Sequence, residues 1–360
     1  MSNCRITDIT GKIGILPPGI NNSITDVFGV EVGQTTLIEG MDVRTGVTVI
    51  KPHGNSIFQE KVPAGLWVGN GYGKLTGSTQ LTELGEIETP IVLTNTFAVP
   101  AAMQALIEYT IEQNPGIEVN SINPVVGETN DGTLNNIRKF SVTKDVVLST
   151  LLNTSTVPPE EGAVGAGTGT IAFGWKGGIG NSSRKLPDIL GGYTVGVLVQ
   201  TNFGGVLQIN GIPVGKNVGQ YYLKDSLDES VDGSVMIVLA TDAPLSDRNL
   251  GRLAKRSMAG LARTGAAFSN GSGDYAIAFS TADSVRRTIA RRSTTYKYSE
   301  ISNDQVSPLF LAAIEATEEA IYNSMSMAQT MVGYKGTIGC LPLDKIRPLF
   351  QPMLKNSDKE

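Results

Sequence analysis

One histidine in 360 residues is the most consequential scarcity of this sequence. A Ser-His-Asp arrangement would have to use His53. That residue falls in the loop-like segment KPHGN after GVTVIKP, where a lone histidine reads as a surface residue. Acyl-transfer chemistry on this chain would therefore need another base. Cysteine is almost as scarce. Cys4 and Cys340 make no disulfide framework and no zinc set, and they suit a reducing compartment. One histidine, two distant cysteines and scattered carboxylates offer no metal-ligand spacing, so neither a metal nor a cofactor is expected. No run of about 18 apolar residues is present, which excludes a transmembrane helix. The opening MSNCRITDIT has no basic-then-apolar leader, and a cytoplasmic location is the expectation.

Charge is also sparse. Charged residues make up 18% of the chain, against a usual level of about 25%. The net charge of −5 and pI of about 5.2 argue against a nucleic-acid partner, which favours a basic face. The densest basic cluster, Arg286, Arg287, Arg291 and Arg292, reads as a solvated helix face or a subunit contact.

What the chain has in abundance is glycine, 42 residues, set among a 40% apolar share. Strands are expected at 29–38, 45–51, 91–96, 122–127, 163–173, 193–200, 205–209, 235–240 and 275–280. Helices are expected at about 98–113, 246–264 and 306–332. In the last of these Glu315, Glu318 and Glu319 are expected toward solvent. Strands come in runs rather than alternating with helices, which favours α+β layering over a doubly wound parallel sheet. With no long linker and no repeat, residues 1–360 read as one domain, with a polar tail that frays after about 350. The segment GAVGAGTGTIAFGWKGGIGNSSR (162–184) lacks the GxxxxGK[ST] pattern of a phosphate loop. Its glycines more readily let two backbones approach, or leave room beside a substrate.

Gly233-Ser234 stands where the polar stretch KDSLDESVDG meets the apolar run VMIVLA. A short apolar run after turn signals reads as a buried strand, with Ser234 at its start. A glycine before a serine leaves the carbonyl of residue 233 open and its backbone free to take strained angles. Such a pair suits a serine that cuts the chain at its own amide. It also suits a plain turn.

Four further segments place uncharged polar groups or carboxylates beside glycines at strand ends: VVGETNDGTLN (125–135), VQTNFGG (199–205), DGSVMIVLATDAPL (232–245) and FSNGSGDYAIAFST (268–281). With NSITDVFGVEVG (22–33) and GAGTG…KGGIGNSSR (165–184), they resemble, in order, the DmpA–BapA family of N-terminal-nucleophile serine aminopeptidases. The resemblance covers residues from about 20 to 335. It implies a four-layer α/β/β/α sandwich, like that of the Ntn hydrolases but with distinct connectivity. It also implies self-cleavage into a 1–233 α-chain and a 234–360 β-chain, with α/β pairs assembled as a tetramer. The implied partners are small peptides, amides or esters, with no nucleic acid and no membrane.

On this resemblance Ser234 is the nucleophile and Gly233 the residue before the cut. A serine hydroxyl is a weak nucleophile without a base. The freed α-amine of Ser234 has an ordinary pKa of roughly 7.7–8.0 and can take the hydroxyl proton itself. Ser272 and Asp274 match the family's Ser-x-acid pair, although Glu is more usual at the second position. On the residues alone, GSGD is also a plain turn. Asn202 matches an oxyanion-hole asparagine, or else caps a strand end. Glu128 matches a carboxylate that holds the substrate's free amine. Asn130 and Thr133 stand where many relatives carry an aromatic residue, a departure that enlarges or re-polarises the pocket. Two other readings are an oligoamide hydrolase of the nylon-oligomer type, whose Thr nucleophile counts against it here, and a non-catalytic binding protein that keeps the fold.

Overall fold

Ser234–Thr241 is a strand whose every residue is buried. Val235, Ile237 and Leu239 enter one core, while Met236, Val238 and Ala240 enter another. Side chains alternate across any strand, so a strand covered on both faces is apolar throughout. Two-sided cover is the principle of the whole architecture.

The computed structural model describes residues 3–224 and 233–357. Most of the polar stretch before Gly233 thus lies outside the described residues. The principal strands are β1 (Glu31–Glu39), β2 (Val43–Lys51), β3 (Glu60–Gly71), β4 (Ile91–Asn95), β5 (Val125–Thr129), β6 (Ile179–Lys185), β7 (Thr194–Asn202), β8 (Ser234–Thr241) and β9 (Gly273–Ser280). The principal helices are α1 (Val99–Glu112), α2 (Lys144–Leu152), α3 (Asp247–Arg263), α4 (Ser307–Ser326) and α5 (Leu343–Ser357). One sheet has the order β1-β2-β4-β5. The other runs from the short strand Arg287–Thr288 through β3, β9, β8, β7 and β6, with Glu86–Ile87 paired to β3. Ile50, Ile91, Leu93, Leu198, Val238 and Ile277 pack between the two sheets. Helices α1 and α2 cover the outer face of the first sheet through Val47, Val92, Ala102 and Leu151. Helices α3 and α4 cover the outer face of the second through Val197, Ile237, Leu253 and Ile321. The result is the α+β, four-layer α/β/β/α sandwich. Among the described residues no helix is long and apolar enough to cross a membrane.

The structure corrects several local expectations. Residues 163–173 are a loop with one tight turn at Gly165–Gly167 and a two-residue strand at Ile171–Ala172, and 205–209 form no strand. The true neighbour of β7 is β6, whose sequence IGNSSRK conceals a strand under polar residues. Those residues are buried yet bonded: Ser182 donates to Ala316 O at 2.6 Å. Strand β3 was hidden by Pro63, Gly65, Gly69 and Gly71. A Cβ on Gly65 would lie 2.1 Å from the backbone of Gly251, so α3 touches the sheet here.

Glu315, Glu318 and Glu319 do not face solvent. From Glu315 onward helix α4 is enclosed on all sides, and each of the three is at most 5% exposed. Arg184 on β6 reaches Glu315 at 3.2 Å and Glu319 at 2.8 Å, while Arg263 and Tyr322 bond Glu318. The arginine cluster is not a free helix face either. Arg286 pairs with Glu60, Arg287 with Glu86 and Asp247, and Arg291 with Asp283. His53 is buried, not a surface residue. Its Nε2 lies 2.8 Å from Glu60 O, and desolvation pushes its pKa down. The tail after 350 does not fray where expected, because α5 docks through Leu343, Ile346 and Phe350 and continues to Ser357.

Removing one partner of a buried ion network strands the others. Arg184→Met leaves Glu315 and Glu319 buried without their cation. The expected loss is about 3–5 kcal/mol of unfolding free energy, read from the urea midpoint. An unchanged midpoint would contradict this role.

Candidate active site

Three strands of the larger sheet place their ends side by side. Asn202 ends β7, Ser234 begins β8 and Gly273 begins β9. In register, Ser234 pairs with Asn202 on one side and with Gly273 on the other. Gly273 lies between Ser272 and Asp274, so the pairing brings that couple beside Ser234. Gly233 is required by space: a Cβ there would fall 2.4 Å from Asn202 O.

The Ser234 hydroxyl donates to Gly233 O at 2.6 Å and accepts from Gly273 N at 3.2 Å. The same Gly273 N–H reaches Gly233 O at 3.1 Å. One backbone donor thus touches both the hydroxyl and the carbonyl it would attack. Ser272 Oγ donates to Asp274 Oδ1 at 2.6 Å. Burial pushes the Asp274 carboxyl up to about 6, against the opposing pull of the Ser272 bond. Its Oδ2 has no hydrogen-bond partner among the described residues. Asn70 pins the turn before it by donating to Ser269 O at 3.1 Å and also to Ser272 O.

Asn202 Oδ1 accepts from Ile171 N at 3.0 Å, which leaves its NH2 as the free-facing donor end. Glu128 comes from β5 of the other sheet and is buried. Its Oε1 accepts from Lys74 N at 3.1 Å, Thr96 Oγ1 donates to its Oε2, and Lys74 Nζ stands 4.0 Å away. Asn130 Oδ1 closes a local turn on Gly132 N at 2.9 Å. Thr133 is exposed, and its carbonyl accepts from Lys335 N at 3.0 Å.

A cavity of about 820 Å³ lies between the two sheet ends and is lined by Glu128, Asn130, Thr133, Asn202, Gly233 and Ser234. Ser272 and Asp274 are not on its surface. They stand behind Ser234, and only Gly271 of their turn reaches the wall. The sequence reading missed Tyr72, Lys74, Thr96, Phe173, Tyr221 and Tyr222, which also line the cavity. Aromatic cover absent at 130 and 133 is thus supplied by other elements. The tandem Tyr221-Tyr222, just ahead of the polar stretch before Ser234, was the signal available for two of them. Two buried charged groups outside the cavity lining were also missed. Burial pushes the Lys176 ammonium down to about 7 and the Asp131 carboxyl up to about 6.

A nucleophile candidate at a strand start, inside a four-layer sandwich and facing a carboxylate from the second sheet, defines an Ntn-type hydrolase site. Comparison with known proteins narrows the class. The model of peptidase family S58 matches residues 22–338, and the chain belongs to that family of peptide hydrolases. It is 39% identical to the beta-peptidyl aminopeptidase BapA of Sphingosinicella microcystinivorans, over 93% of this chain and 89% of that protein. A solved beta-aminopeptidase from Burkholderia sp. superposes with a TM-score of 0.88 at 37% identity, covering 97% of this chain and 99% of that one. The L-aminopeptidase D-Ala-esterase/amidase of Ochrobactrum anthropi, described as a variant of the Ntn hydrolase fold, gives 0.85 at 34% identity, covering 97% and 98%.

The raised pKa of Asp274 has a definite sign in stability. The folded chain holds this proton more tightly than the unfolded chain does. The ionisation penalty is therefore absent below about pH 4 and complete above about pH 6. In a Ser234→Ala background, which keeps residues 233 and 234 joined, Asp274→Asn removes the penalty. Between pH 4 and pH 7 the difference in unfolding free energy is expected to move in favour of Asp274→Asn by roughly 2–3 kcal/mol. Parallel denaturation curves for the two proteins would contradict the raised value.

Proposed function

We propose that this chain is a self-processing N-terminal-nucleophile aminopeptidase or amidase that works through an acyl-Ser234 intermediate. The observation that carries the reading is the Gly273 N–H shared between Ser234 Oγ and Gly233 O, at the mouth of a cavity that also holds Glu128.

In self-cleavage, Ser234 Oγ attacks the Gly233 carbonyl carbon and the carbonyl oxygen takes up negative charge. Gly273 N–H is aimed at that oxygen. The C–N bond then breaks, the Ser234 nitrogen takes the proton that Oγ gives up, and an ester links Gly233 to Ser234 Oγ. Water hydrolyses the ester, leaving a Gly233 carboxylate and a Ser234 that carries a free amine beside its hydroxyl.

Turnover reuses the same atoms. The neutral α-amine accepts the Oγ proton as Oγ attacks a substrate carbonyl. The Asn202 NH2 stabilises the oxyanion, a contribution of about 3–4 kcal/mol for a well-placed side-chain amide. The α-ammonium passes its proton to the leaving amine, and water then releases the acyl group. Asp274, steadied by Ser272, offsets the ammonium charge between these transfers. Glu128 receives the substrate's own ammonium, which selects a free N-terminus and disfavours cuts within a chain. The named activities of the relatives, on β-peptides in one and on L- and D-Ala-type substrates in another, bracket the residues released here. A cavity without bulk at Asn130 and Thr133 has room for a β-residue's extra methylene. Assembly into an oligomer of α/β pairs belongs to the same proposal, supported by the fully exposed Ile20, Phe28 and Ile189.

Denaturing gels test the cleavage. Wild type is expected as two bands near two thirds and one third of 38.1 kDa, and Ser234→Ala as one inactive band. A fully active wild type that runs as a single band would overturn the mechanism. Glu128→Gln tests the amine site. Loss of a charge-assisted bond of about 1.5–3 kcal/mol should lower kcat/KM for β-Ala and L-Ala p-nitroanilides about 10- to 100-fold. An unchanged kcat/KM on both would remove Glu128 from that role.

A further inference from the structure

We infer that Lys176 is a positioning residue for the oxyanion side of the site, because its buried ammonium shapes the 167–177 loop whose Ile171 N–H holds Asn202. This inference rests on the reading of Asn202 as the oxyanion donor.

Lys176 is completely buried. Its Nζ donates to Gly167 O at 2.9 Å, Thr170 O at 2.9 Å and Gly177 O at 2.8 Å. An ammonium has three donors, and all three are used within one loop. The bonded carbonyls come from both ends of that loop, so the side chain ties its start to its finish. Thr170 O accepts from Gly177 N as well, at 3.1 Å. The residue after Thr170 is Ile171, whose N–H reaches Asn202 Oδ1. The loop is docked along the end of β7 at two further points, Phe173 N to Phe203 O at 2.8 Å and Thr201 N to Gly178 O at 3.0 Å.

A loop that needed only closure could be filled by an apolar side chain. Burying an ammonium is costly unless it is paired and hydrogen-bonded. Among the described residues no carboxylate lies within ion-pair distance of Lys176, and Asp131 is the charge that acts on it from farther off. The three carbonyls therefore do most of the stabilising, and the loop conformation is bound to these three bonds. An oxyanion donor acts through fixed placement, and Lys176 supplies the fixing from the far side of Ile171.

The test is a double-mutant cycle on the processed enzyme, with Asn202→Ala, Lys176→Met and their combination assayed on a p-nitroanilide substrate. Asn202→Ala should lower kcat about 10²- to 10³-fold. Lys176→Met should lower kcat at least about 10-fold with KM changed less than about threefold, because placement of a transition-state donor leaves ground-state binding nearly alone. If Lys176 acts through Asn202, the double variant falls no more than about threefold below Asn202→Ala. Losses that multiply, or a Lys176→Met kcat within about twofold of wild type, overturn the inference. An Asn202→Ala enzyme with full kcat overturns instead the reading on which it rests. Ile171→Pro removes the N–H that holds Asn202 and leaves the ammonium in place. It should show the same kcat-only loss, and it decides the matter if Lys176→Met does not fold or is not cut: full kcat in Ile171→Pro overturns the inference.

Discussion

The register of β7, β8 and β9 is the constraint on which the site depends. Pairing sets Asn202, Ser234 and Gly273 in one row across the end of the sheet. A slip of one residue would turn every side chain of β8 to the opposite face. Apolar pattern alone resists such a slip poorly here, because both faces of β8 enter a core and both accept Val, Ile or Leu. Buried polar bonds supply the missing specification. Gln200 Nε2 donates to Thr94 O, Thr129 Oγ1 and Ala166 O, all across the gap between the sheets. Thr201 Oγ1 meets Ser324 on α4 at 2.8 Å, and Thr241 Oγ1 donates to Thr194 O. A shifted β7 would break these bonds and leave buried groups unpaired, at about 1–3 kcal/mol for each. Gln200 also links β7 to β4 and β5, and so sets the distance across the cavity between the Asn202 side and the Glu128 side.

Scarcity of histidine shapes the rest of the chemistry. His53 is buried behind Glu60 and takes no part in lining the cavity. A base made from the nucleophile's own backbone removes the need for one. It brings a different demand, since a cationic intermediate must be tolerated in a site walled by two sheets. On the proposed mechanism, Asp274 answers that demand from behind Ser234. In the continuous chain it is a carboxyl with one oxygen bonded to Ser272 and the other unpaired, held toward its neutral form by burial. A new ammonium on the neighbouring strand would favour its ionised form. On the proposed mechanism, the cut would create beside this carboxyl the cationic partner that it lacks in the continuous chain.

The main layers were legible because long apolar or amphipathic segments carry them. Helices α1 and α3 lie within two residues of their expected ends, and VMIVLA announced β8. Strand β6 was illegible for a physical reason: its buried Asn181, Ser182, Ser183 and Arg184 bond to partners more than a hundred residues away, on the 19–26 segment and on α4. The three glutamates of α4 were misread by the same mechanism, as the other half of the Arg184 network. In the site, glycine-flanked polar residues at strand ends marked Glu128, Asn202, Ser234 and the Ser272–Asp274 couple. Thr96 carried no such mark, and Tyr72 and Lys176 stand beside glycines in GYGK and WKGG, whose spacing reveals nothing of the neighbours they meet.

Three of the buried unsatisfied side-chain atoms lie in or beside the site. Asp274 Oδ2, Asp131 Oδ2 and Gln200 Oε1 are buried without hydrogen-bond partners among the described residues. Each belongs to the site or to its support. Asp274 backs Ser234, Asp131 follows the Glu128–Asn130 segment, and Gln200 holds the two sheets in alignment. Buried unpaired acceptors weaken a fold, and a protein retains them where they answer a chemical need. The pattern here is directional. Both unpaired carboxylate oxygens are acceptors without donors, on the side of the molecule where self-cleavage would create an ammonium and where Lys176 already holds one. On the proposed mechanism, an acceptor held in reserve beside the ammonium that the cut would make is the electrostatic arrangement a self-activating serine requires.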